Sequence, residues 1–378
     1  MRTPVRSSSH LPSRVAIRDL FVRTLGRSGR LIRAREEAAR RGVLVLTLHR
    51  IVPDGQRGLI RSPAGMVLRQ SLFESLVAYL AAETTCISAS ELDRVASSSK
   101  PRVLVTFDDG WVDNAQVAWP VLKRAGIPMC IFVTTGLAGT TQPFWPERLT
   151  GILEATARQG NSDLLMERLS ALARAHRDEP GRSNSAWPRS TYANQDADVV
   201  IAGLKGAPEE DILQAIEACS HDLTLQDGPS AADVASGQPS VSPDPYERLL
   251  TWEEMQQLQT EGVCFGSHTV THHILTTRSA SEVACELNQS RSAIRERLGD
   301  TVLVAYPNGD ANELVTQETR RAGYRYGFCN SAGVWDGATD PLLVPRVNLW
   351  DGKLTDGEGR FSPEHLEYSI FWKALRAA

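Results

Sequence analysis

Short apolar runs alternate with amphipathic stretches over most of the chain. Three runs rich in Val, Leu, Ile and Phe cover 42–48, 103–107 and 129–133, and each has the length and composition of a buried strand. The intervening segments carry apolar residues at helical spacing, which predicts helices over 73–82 and 117–125. Strands that alternate with helices are typical of parallel sheets with crossover helices. The pattern therefore predicts an α/β fold, either an open sheet or a barrel.

This alternation is interrupted between about residues 144 and 247. Two helical patterns, over 147–175 and 208–219, are separated and followed by segments rich in Pro, Ser, Asn and Gln. The alternation then resumes, and it predicts a helix from 251 to 262, a strand over 263–265, a helix over 282–298, a strand over 301–306 and a helix over 313–322. We therefore expect one α/β unit over 42–352 with a mainly helical insertion, followed by a C-terminal tail or helix over 353–378.

The first 41 residues differ from the rest, because they contain eleven arginines and no lysine. Apolar residues lie between the arginines, as in a basic amphipathic helix. Such an arm can pack on its own domain as a solvated tail, or contact an anionic membrane surface or a partner. No apolar stretch of the length found in a signal peptide follows the basic start, so the segment predicts no secretory signal. We expect a cytoplasmic protein, with peripheral membrane contact as the alternative.

Composition narrows the class of protein further. The 378 residues are 42% hydrophobic and 23% charged, with a net charge of −4, which is typical of a globular protein and does not favour a nucleic-acid partner. No apolar run approaches the roughly 20 residues that a membrane-spanning helix needs. The six cysteines are scattered and form no CxxC pair, which predicts reduced thiols rather than a disulfide framework.

Polar clusters follow three of the predicted strands. Asp108 and Asp109 come directly after one strand, His268 and His272 after another, and His49 after the first. The carboxyl ends of parallel strands lie on one side of the fold, so these groups can share a cleft. Two histidines and one carboxylate match the ligand set of a catalytic metal site. Beside such a site, a second carboxylate can take a proton from water, and a third histidine can protonate a leaving group. Taken singly, the carboxylates also fit a capped turn, and the histidines also fit ordinary surface or core positions.

Two of these motifs resemble a known family. Thr106-Phe-Asp-Asp-Gly110 and His268-Thr-Val-Thr-His272 are similar to the first two motifs of the NodB-like polysaccharide deacetylases, carbohydrate esterase family 4, and the likeness extends over 42–352 outside the insertion. The resemblance implies a deformed (β/α) barrel of fewer than eight complete units. It also implies a divalent metal, with zinc the ion we expect, that assists removal of N- or O-acetyl groups from sugars. Asp109, His268 and His272 would be its ligands, and Asp108 the general base.

The later motifs of that family are altered in this chain. The usual Arg-x-Pro-aromatic motif is replaced by Ala305-Tyr306-Pro307-Asn308, so the arginine that orients the base is missing at position 305 and the aromatic residue is replaced by Asn308. We expect the backbone N–H of Asn308 to bind the oxyanion. Tyr306 is a candidate to stack on a sugar ring, although packing in the core is the commoner interpretation of a lone aromatic residue. Arg346 is a candidate for the missing guanidinium, although a surface ion pair is an equally good interpretation of it.

The terminal Leu-x-x-His motif is also absent from the C-terminal end, where His365 has no apolar strand before it. Leu46-Thr-Leu-His49 resembles that motif instead, an arrangement similar to the circularly permuted branch of exopolysaccharide deacetylases. His49 is therefore the expected general acid, with a strand-end histidine bonded to a carbonyl as the plainer interpretation.

Together these motifs predict a metal-dependent deacetylase acting on the N-acetyl group of an amino sugar in a polysaccharide or glycan. One alternative is a deacetylase or deformylase of a lipid-linked sugar, with the basic arm on the membrane. Another is a degenerate carbohydrate-binding protein without turnover.

Overall fold

The structure is a computed structural model of the chain. It describes residues 14–56, 60–94, 97–142, 144–159, 162–175, 197–204, 207–227 and 246–377.

Eight parallel strands form the central sheet. In space the order is β10-β1-β5-β6-β7-β8-β9, and the short β4 pairs with β5. The strands of this sheet are β1 (Val43–Leu48), β4 (Thr85–Cys86), β5 (Arg102–Phe107), β6 (Cys130–Val133), β7 (Cys264–Ser267), β8 (Leu303–Ala305), β9 (Tyr326–Phe328) and β10 (Val347–Asn348). A separate two-stranded ribbon joins β2 (Arg50–Val52) to β3 (Val67–Arg69). Both β1 and β5 are buried along their whole length, because side chains cover both faces of the sheet.

Helices cross between the strands and cover the sheet. In chain order they are α1 (Arg14–Arg27), α2 (Arg30–Arg41), α3 (Gln70–Glu83), α4 (Trp119–Ala125), α5 (Trp145–Gln159), α6 (Ser162–Ala175), α7 (Ala197–Leu204), α8 (Glu209–Asp227), α9 (Trp252–Thr260), α10 (Ala280–Leu298), α11 (Glu313–Arg321), α12 (Asp351–Leu354) and α13 (Pro363–Glu367). The curled parallel sheet with its helices is a deformed (β/α) barrel, so the expected fold class is confirmed. Among the helices that the structure describes, none combines the length and the apolar character needed to cross a membrane.

Most predicted elements are present with shifted ends. The predicted strand over 301–306 is only Leu303–Ala305, and the helical pattern over 147–175 is two helices, α5 and α6. The pattern over 208–219 continues as a helix to Asp227. Helix α9 begins at the expected cap, where the Thr251 side chain accepts a hydrogen bond from the Glu254 N–H and Glu254 bonds back to the Thr251 N–H.

The helices of the predicted insertion have an apolar cluster of their own. Thirteen buried side chains from the 145–216 region pack together, among them Leu149, Leu169, Val200 and Ile212. The segment also contacts the barrel, since Glu210 pairs with Arg278 at 2.5 Å. These contacts place α5, α7 and α8 beside the carboxyl ends of the strands. The division of the chain into arm, barrel and insertion remains our prediction.

The two N-terminal helices pack against the C-terminal segment. Val22 and Leu25 of α1 are buried with Leu31 of α2, against the side chains of Tyr368 and Trp372. The Arg18 guanidinium donates hydrogen bonds to the Gly352 and Thr355 carbonyls, both at 2.8 Å. The inner face of the arm is therefore part of the folded structure.

Candidate metal centre

Three side chains from two strand ends converge on one point. Asp109 follows β5, and His268 and His272 follow β7. The Nε2 atoms of His268 and His272 lie 3.5 and 3.4 Å from Oδ1 of Asp109. All three candidate ligand atoms lie within 4.8 Å of one another. The sequence prediction that these residues share a site therefore agrees with the geometry.

The donor set fits a divalent cation. Bonds of about 2.0–2.1 Å at a tetrahedral zinc leave neighbouring donor atoms roughly 3.3 Å apart, close to the spacing found here. Oδ1 of Asp109 is buried without a hydrogen-bond partner, as expected of an oxygen reserved for a ligand. The His268 Nδ1 lies 2.7 Å from the Ala305 carbonyl, which leaves the Nε2 lone pair facing Asp109. The residues present therefore suit a metal such as zinc.

The protonation states of these groups agree with that role. Burial lowers the pKa of His268 to about 4, so its imidazole is neutral and can bind a cation. Burial opposes ionisation of Asp109, but the neighbouring His272 outweighs it and holds the pKa of Asp109 below its usual range. In the absence of a metal, burial lowers the pKa of His272 while the Asp109 carboxylate raises it, and the net direction is upward.

The two histidines do not converge by lying on one helical face. The segment 268–272 is an irregular loop in which Thr269 and His272 have φ of 66° and 67°. The Thr269 Oγ1 accepts a hydrogen bond from the His272 N–H at 3.1 Å, and Glu286 accepts from the N–H groups of Val270 and Thr271. These bonds hold a conformation that L-residues rarely adopt, so the two histidines meet through this loop and not through a helical turn.

Left-handed backbone conformations are concentrated at this site. The non-glycine residues with positive φ in the described part of the chain are Asp109, Thr269, His272 and Asn308. Each such conformation costs of order 1 kcal/mol or more. Backbone strain located at the candidate ligands and the neighbouring loop is typical of a functional site.

Arg346 supplies the guanidinium group that the altered third motif lacks. Its Nη1 and Nη2 atoms donate to Oδ1 and Oδ2 of Asp108, both at 2.8 Å, and both side chains are buried. Burial alone would raise the pKa of Asp108, but the Arg346 charge outweighs it and lowers that pKa. Asp108 is therefore held ionised in a fixed orientation. The surface ion pair considered for Arg346 is wrong, because the guanidinium is 0% exposed.

His49 lies at the same cavity, directly after β1. Its Nε2 is 4.0 Å from Oδ2 of Asp108, and its side chain is 11% exposed. Burial lowers the pKa of His49 although both aspartates favour the charged form, so the resting imidazole is neutral. The Asn114 side chain donates to the His49 carbonyl at 2.7 Å and fixes the backbone at this point.

Of the altered third motif, Asn308 lies at the cavity and Tyr306 lies in the core. Asn308 lines the cavity, with φ of 60°. Asn330 links it to Arg346, because Asn330 donates to the Asn308 carbonyl at 3.2 Å and accepts from Arg346 at 3.3 Å. Tyr306 is fully buried, and its hydroxyl donates to the Leu342 carbonyl. Neither Tyr306 nor Pro307 is among the cavity-lining residues that the structure describes, and Tyr306 packs in the core.

Trp111 has a role that the sequence did not reveal. Its indole N–H donates to Oδ2 of Asp109 at 2.9 Å, and the Arg50 guanidinium lies 4.0 Å from its ring centroid. Arg50 is itself fixed by Asp113 at 2.5 Å. This buried chain of contacts sets the orientation of the candidate ligand Asp109. No local signal marks it, since only the fold brings Arg50 and Trp111 together.

A cavity of about 300 Å³ opens over these groups. The two aspartates and three histidines line its base. Its walls include Met66, Asn330, Asn348 and Trp350 from the barrel, and Trp145, Pro146 and Ile201 from the predicted insertion. The Asn348 Oδ1 is buried without a protein partner and is available to a hydrogen-bond donor. The volume is at the lower end for small-molecule sites, and this mixture of aromatic and amide side chains is common in them.

The remaining histidines in the described part of the chain lie elsewhere. His365 packs between Asp19 and Ser362, at 2.9 Å from each, which agrees with its rejection as the acid. His273 lies near Glu209 and Glu286 beside the loop. His10, His176 and His221, which carried no expectation, are not interpreted because their side chains lie outside the described set.

A family model and several solved structures match this chain. Residues 96–163 and 229–327 match the model of the polysaccharide deacetylase family. The deacetylase PplD from Streptococcus pyogenes has a similar structure, with 17% identity, a TM-score of 0.51 and coverage of 87% of this chain and 98% of its own. IcaB from Ammonifex degensii gives 17% identity and a TM-score of 0.47, with 82% and 93% coverage. The polysaccharide deacetylase BC0361 from Bacillus cereus gives 15% identity and a TM-score of 0.49, with 87% and 69% coverage. Curated proteins give no match.

A deformed (β/α) barrel with an Asp-His-His cluster at its strand ends is the arrangement that the two motifs imply. Residues 96–163 and 229–327, which contain both motifs, therefore form a polysaccharide deacetylase domain.

Proposed function

We propose that this protein is a divalent-metal-dependent hydrolase that removes the N-acetyl group from an amino sugar in a polysaccharide or glycan. Asp109, His268 and His272 hold the metal, and zinc best suits this donor set. When bound, the cation polarises the acyl carbonyl and lowers the pKa of water.

The protein's own groups move the protons. Asp108, kept ionised by Arg346, takes the proton of the attacking water. His49 lines the same cavity, with its Nε2 4.0 Å from Oδ2 of Asp108, so a proton collected by Asp108 can reach the departing amine nitrogen through the imidazole. The product amine then leaves with this proton, and the acetic acid formed loses its own proton to solvent and is released as acetate. Each group thereby returns to its starting protonation state.

The remaining cavity groups orient the substrate. The backbone N–H of Asn308 is our candidate donor to the developing oxyanion, because Asn330 and Arg346 tie its loop to the catalytic base. The Asn348 Oδ1 can accept from a sugar hydroxyl, and Trp350 offers an aromatic face to a sugar ring.

One observation carries the proposal: the buried Arg346–Asp108 pair lies beside the Asp-His-His cluster and His49. A protein that only bound glycans would have no need of an ionised carboxylate and a neutral histidine 4.0 Å apart at a metal site. This favours turnover over the degenerate carbohydrate-binding alternative.

The test is acetate release from N-acetylglucosamine oligomers, with an O-acetylated sugar as comparison. We expect release by the metal-loaded protein, its loss on chelation and recovery on adding zinc. Asp108→Asn should reduce kcat by about 10²-fold or more, whereas Glu296→Gln, an exposed carboxylate on α10, should have no effect. Glycan binding without acetate release in any metal-loaded sample would favour the binding-only alternative.

A second candidate differs only in substrate: a lipid-linked sugar, with α1 at the membrane surface. It is favoured by exposed apolar side chains on α1, among them Ile17 and Leu20. Comparison of turnover on a lipid-linked N-acetylated sugar and on the free oligomer would decide between the two, since a membrane-bound enzyme should prefer the former in the presence of vesicles.

A further inference from the structure

The outer side of α1 is apolar although the helix is firmly attached through its inner side. Ile17, Leu20 and Phe21 are 55, 69 and 47% exposed. Their i, i+3, i+4 spacing puts them on one stripe, and we call these three residues the α1 stripe. Exposed side chains of this size, adjacent on one helix, are uncommon on a surface that contacts only water.

The charges around the α1 stripe are positive. Exposed Arg23 and Arg27 follow it on the same helix. Asp19, the one acidic residue within α1, is turned inward, where it accepts from the Gly357 N–H at 2.6 Å and contacts His365 at 2.9 Å. The outer side of α1 therefore carries positive charge that no acidic residue of its own helix neutralises.

A cavity lined by basic residues lies between α2, the next helix along the chain, and the C-terminal segment. It has a volume of about 650 Å³, and its lining includes Arg30, Arg33, Arg41 and Arg376 together with the apolar Trp372 and Leu375. Glu37, the acidic residue in the lining, is already paired with Arg40 and Arg41. Arginines around an apolar floor suit an anionic headgroup with attached hydrocarbon.

We propose that the α1 stripe and this arginine-lined cavity form a docking surface for a membrane containing anionic phospholipid. The apolar stripe enters the boundary between headgroups and acyl chains, and the arginines contact the phosphates. Two features favour a lipid surface over a protein partner. Basic residues outnumber acidic ones in the cavity lining by four to one, Glu37 being the acidic residue. The α1 stripe is flanked by arginines, whose long side chains carry their charge to the headgroup level.

The experiment is co-sedimentation of the full chain with vesicles of phosphatidylcholine alone, or of phosphatidylcholine with one quarter phosphatidylglycerol. We expect binding to the anionic vesicles that weakens as salt is raised. Arg23→Gln with Arg27→Gln should weaken it by about tenfold or more, since each basic residue near an anionic surface contributes about fivefold. Ile17→Ser with Leu20→Ser should weaken it by a similar factor.

Matched controls come from the barrel. Arg124→Gln with Arg295→Gln removes two exposed arginines, and Val302→Ser with Leu314→Ser removes two exposed apolar side chains. Neither control should change vesicle binding, and all four variants should retain the wild-type melting temperature because the altered side chains are exposed.

Three outcomes would overturn the proposal. The first is no difference between the two kinds of vesicle. The second is equal loss of binding in α1 variants and barrel controls. The third is a shift from dimer to monomer in the α1 variants, measured by light scattering, which would assign the surface to a second copy of the chain. None of these readouts depends on acetate release, so the proposal stands or fails separately from the proposed function.

Discussion

Removal of the Arg346 guanidinium is the sharpest test of the catalytic arrangement. Arg346 makes two hydrogen bonds of 2.8 Å to Asp108, and both partners are buried. Arg346→Met would leave the Asp108 carboxylate buried without its countercharge, which costs about 3–5 kcal/mol of folding stability in such pairs. Arg346→Lys keeps the charge but loses the paired geometry, so we expect a smaller destabilisation.

The kinetic consequence follows from the same contacts. Without the guanidinium, Asp108 is neither oriented nor held ionised, and we expect kcat for acetate release to fall by about 10²–10³-fold. Zinc affinity should change little, because Arg346 donates to Asp108 and not to the candidate ligand Asp109. Thermal unfolding, acetate release and zinc titration of the same preparations measure the three quantities separately.

A double-mutant cycle tests whether Arg346 acts through Asp108. If Arg346 acts through Asp108, then Arg346→Met should cost little further activity in an Asp108→Asn background. If the two losses of kcat multiply in the double variant, or if a folded Arg346→Met protein keeps the wild-type kcat, then Arg346 does not act through Asp108. Arg346→Lys keeps the test informative if the Met variant fails to fold.

Three further predictions concern neighbouring groups. Trp111→Phe keeps the ring but removes the 2.9 Å hydrogen bond to Asp109, so zinc affinity should weaken by about 10-fold or more in a calorimetric titration; an unchanged Kd would exclude an orienting role. His49→Gln should lower kcat by about 10²-fold with KM nearly constant, and a change confined to KM would argue for substrate binding instead. Burial, aided by the Asp109 charge, raises the pKa of Glu147 to about 7. The unfolded chain therefore loses this proton at a lower pH than the folded protein does. As a result, the free energy of unfolding of the metal-free protein falls by about 3 kcal/mol as the pH rises from about 4.5 to 7. Glu147→Gln should remove most of this loss, and identical pH dependence of unfolding in the two proteins would contradict it.

Residues that follow strongly apolar strands were predictable from sequence. Asp108 and Asp109 follow a run with no polar interruption apart from Thr106, and His49 follows another, so local pattern and parallel topology together place them at one edge. Arg346 could be named only as a candidate, because its partner lies 238 positions away and nothing local distinguishes a buried guanidinium from a solvated one.

Other features depend on the tertiary structure alone. The 268–272 segment has helical spacing but forms a loop, because hydrogen bonds to Thr269 and Glu286 stabilise left-handed backbone. Tyr306 follows β8 as expected, yet its hydroxyl reaches the Leu342 carbonyl and the ring packs in the core. The direction in which a side chain leaves a strand end is set by such distant partners, so it could not be inferred from sequence.

Pairing of β1 with β10 has a consequence for biosynthesis. Leu46 and Val347 are partners in adjacent strands, although 301 positions separate them. Arg346 and Asn348 thus reach the pocket only when this last strand is added beside the first. A nascent chain on the ribosome can already hold both aspartates and all three histidines while it still lacks the guanidinium that balances Asp108, because Arg346 follows all of them in the sequence. The candidate site therefore gains its charge balance only after the segment that carries Arg346 has been synthesised.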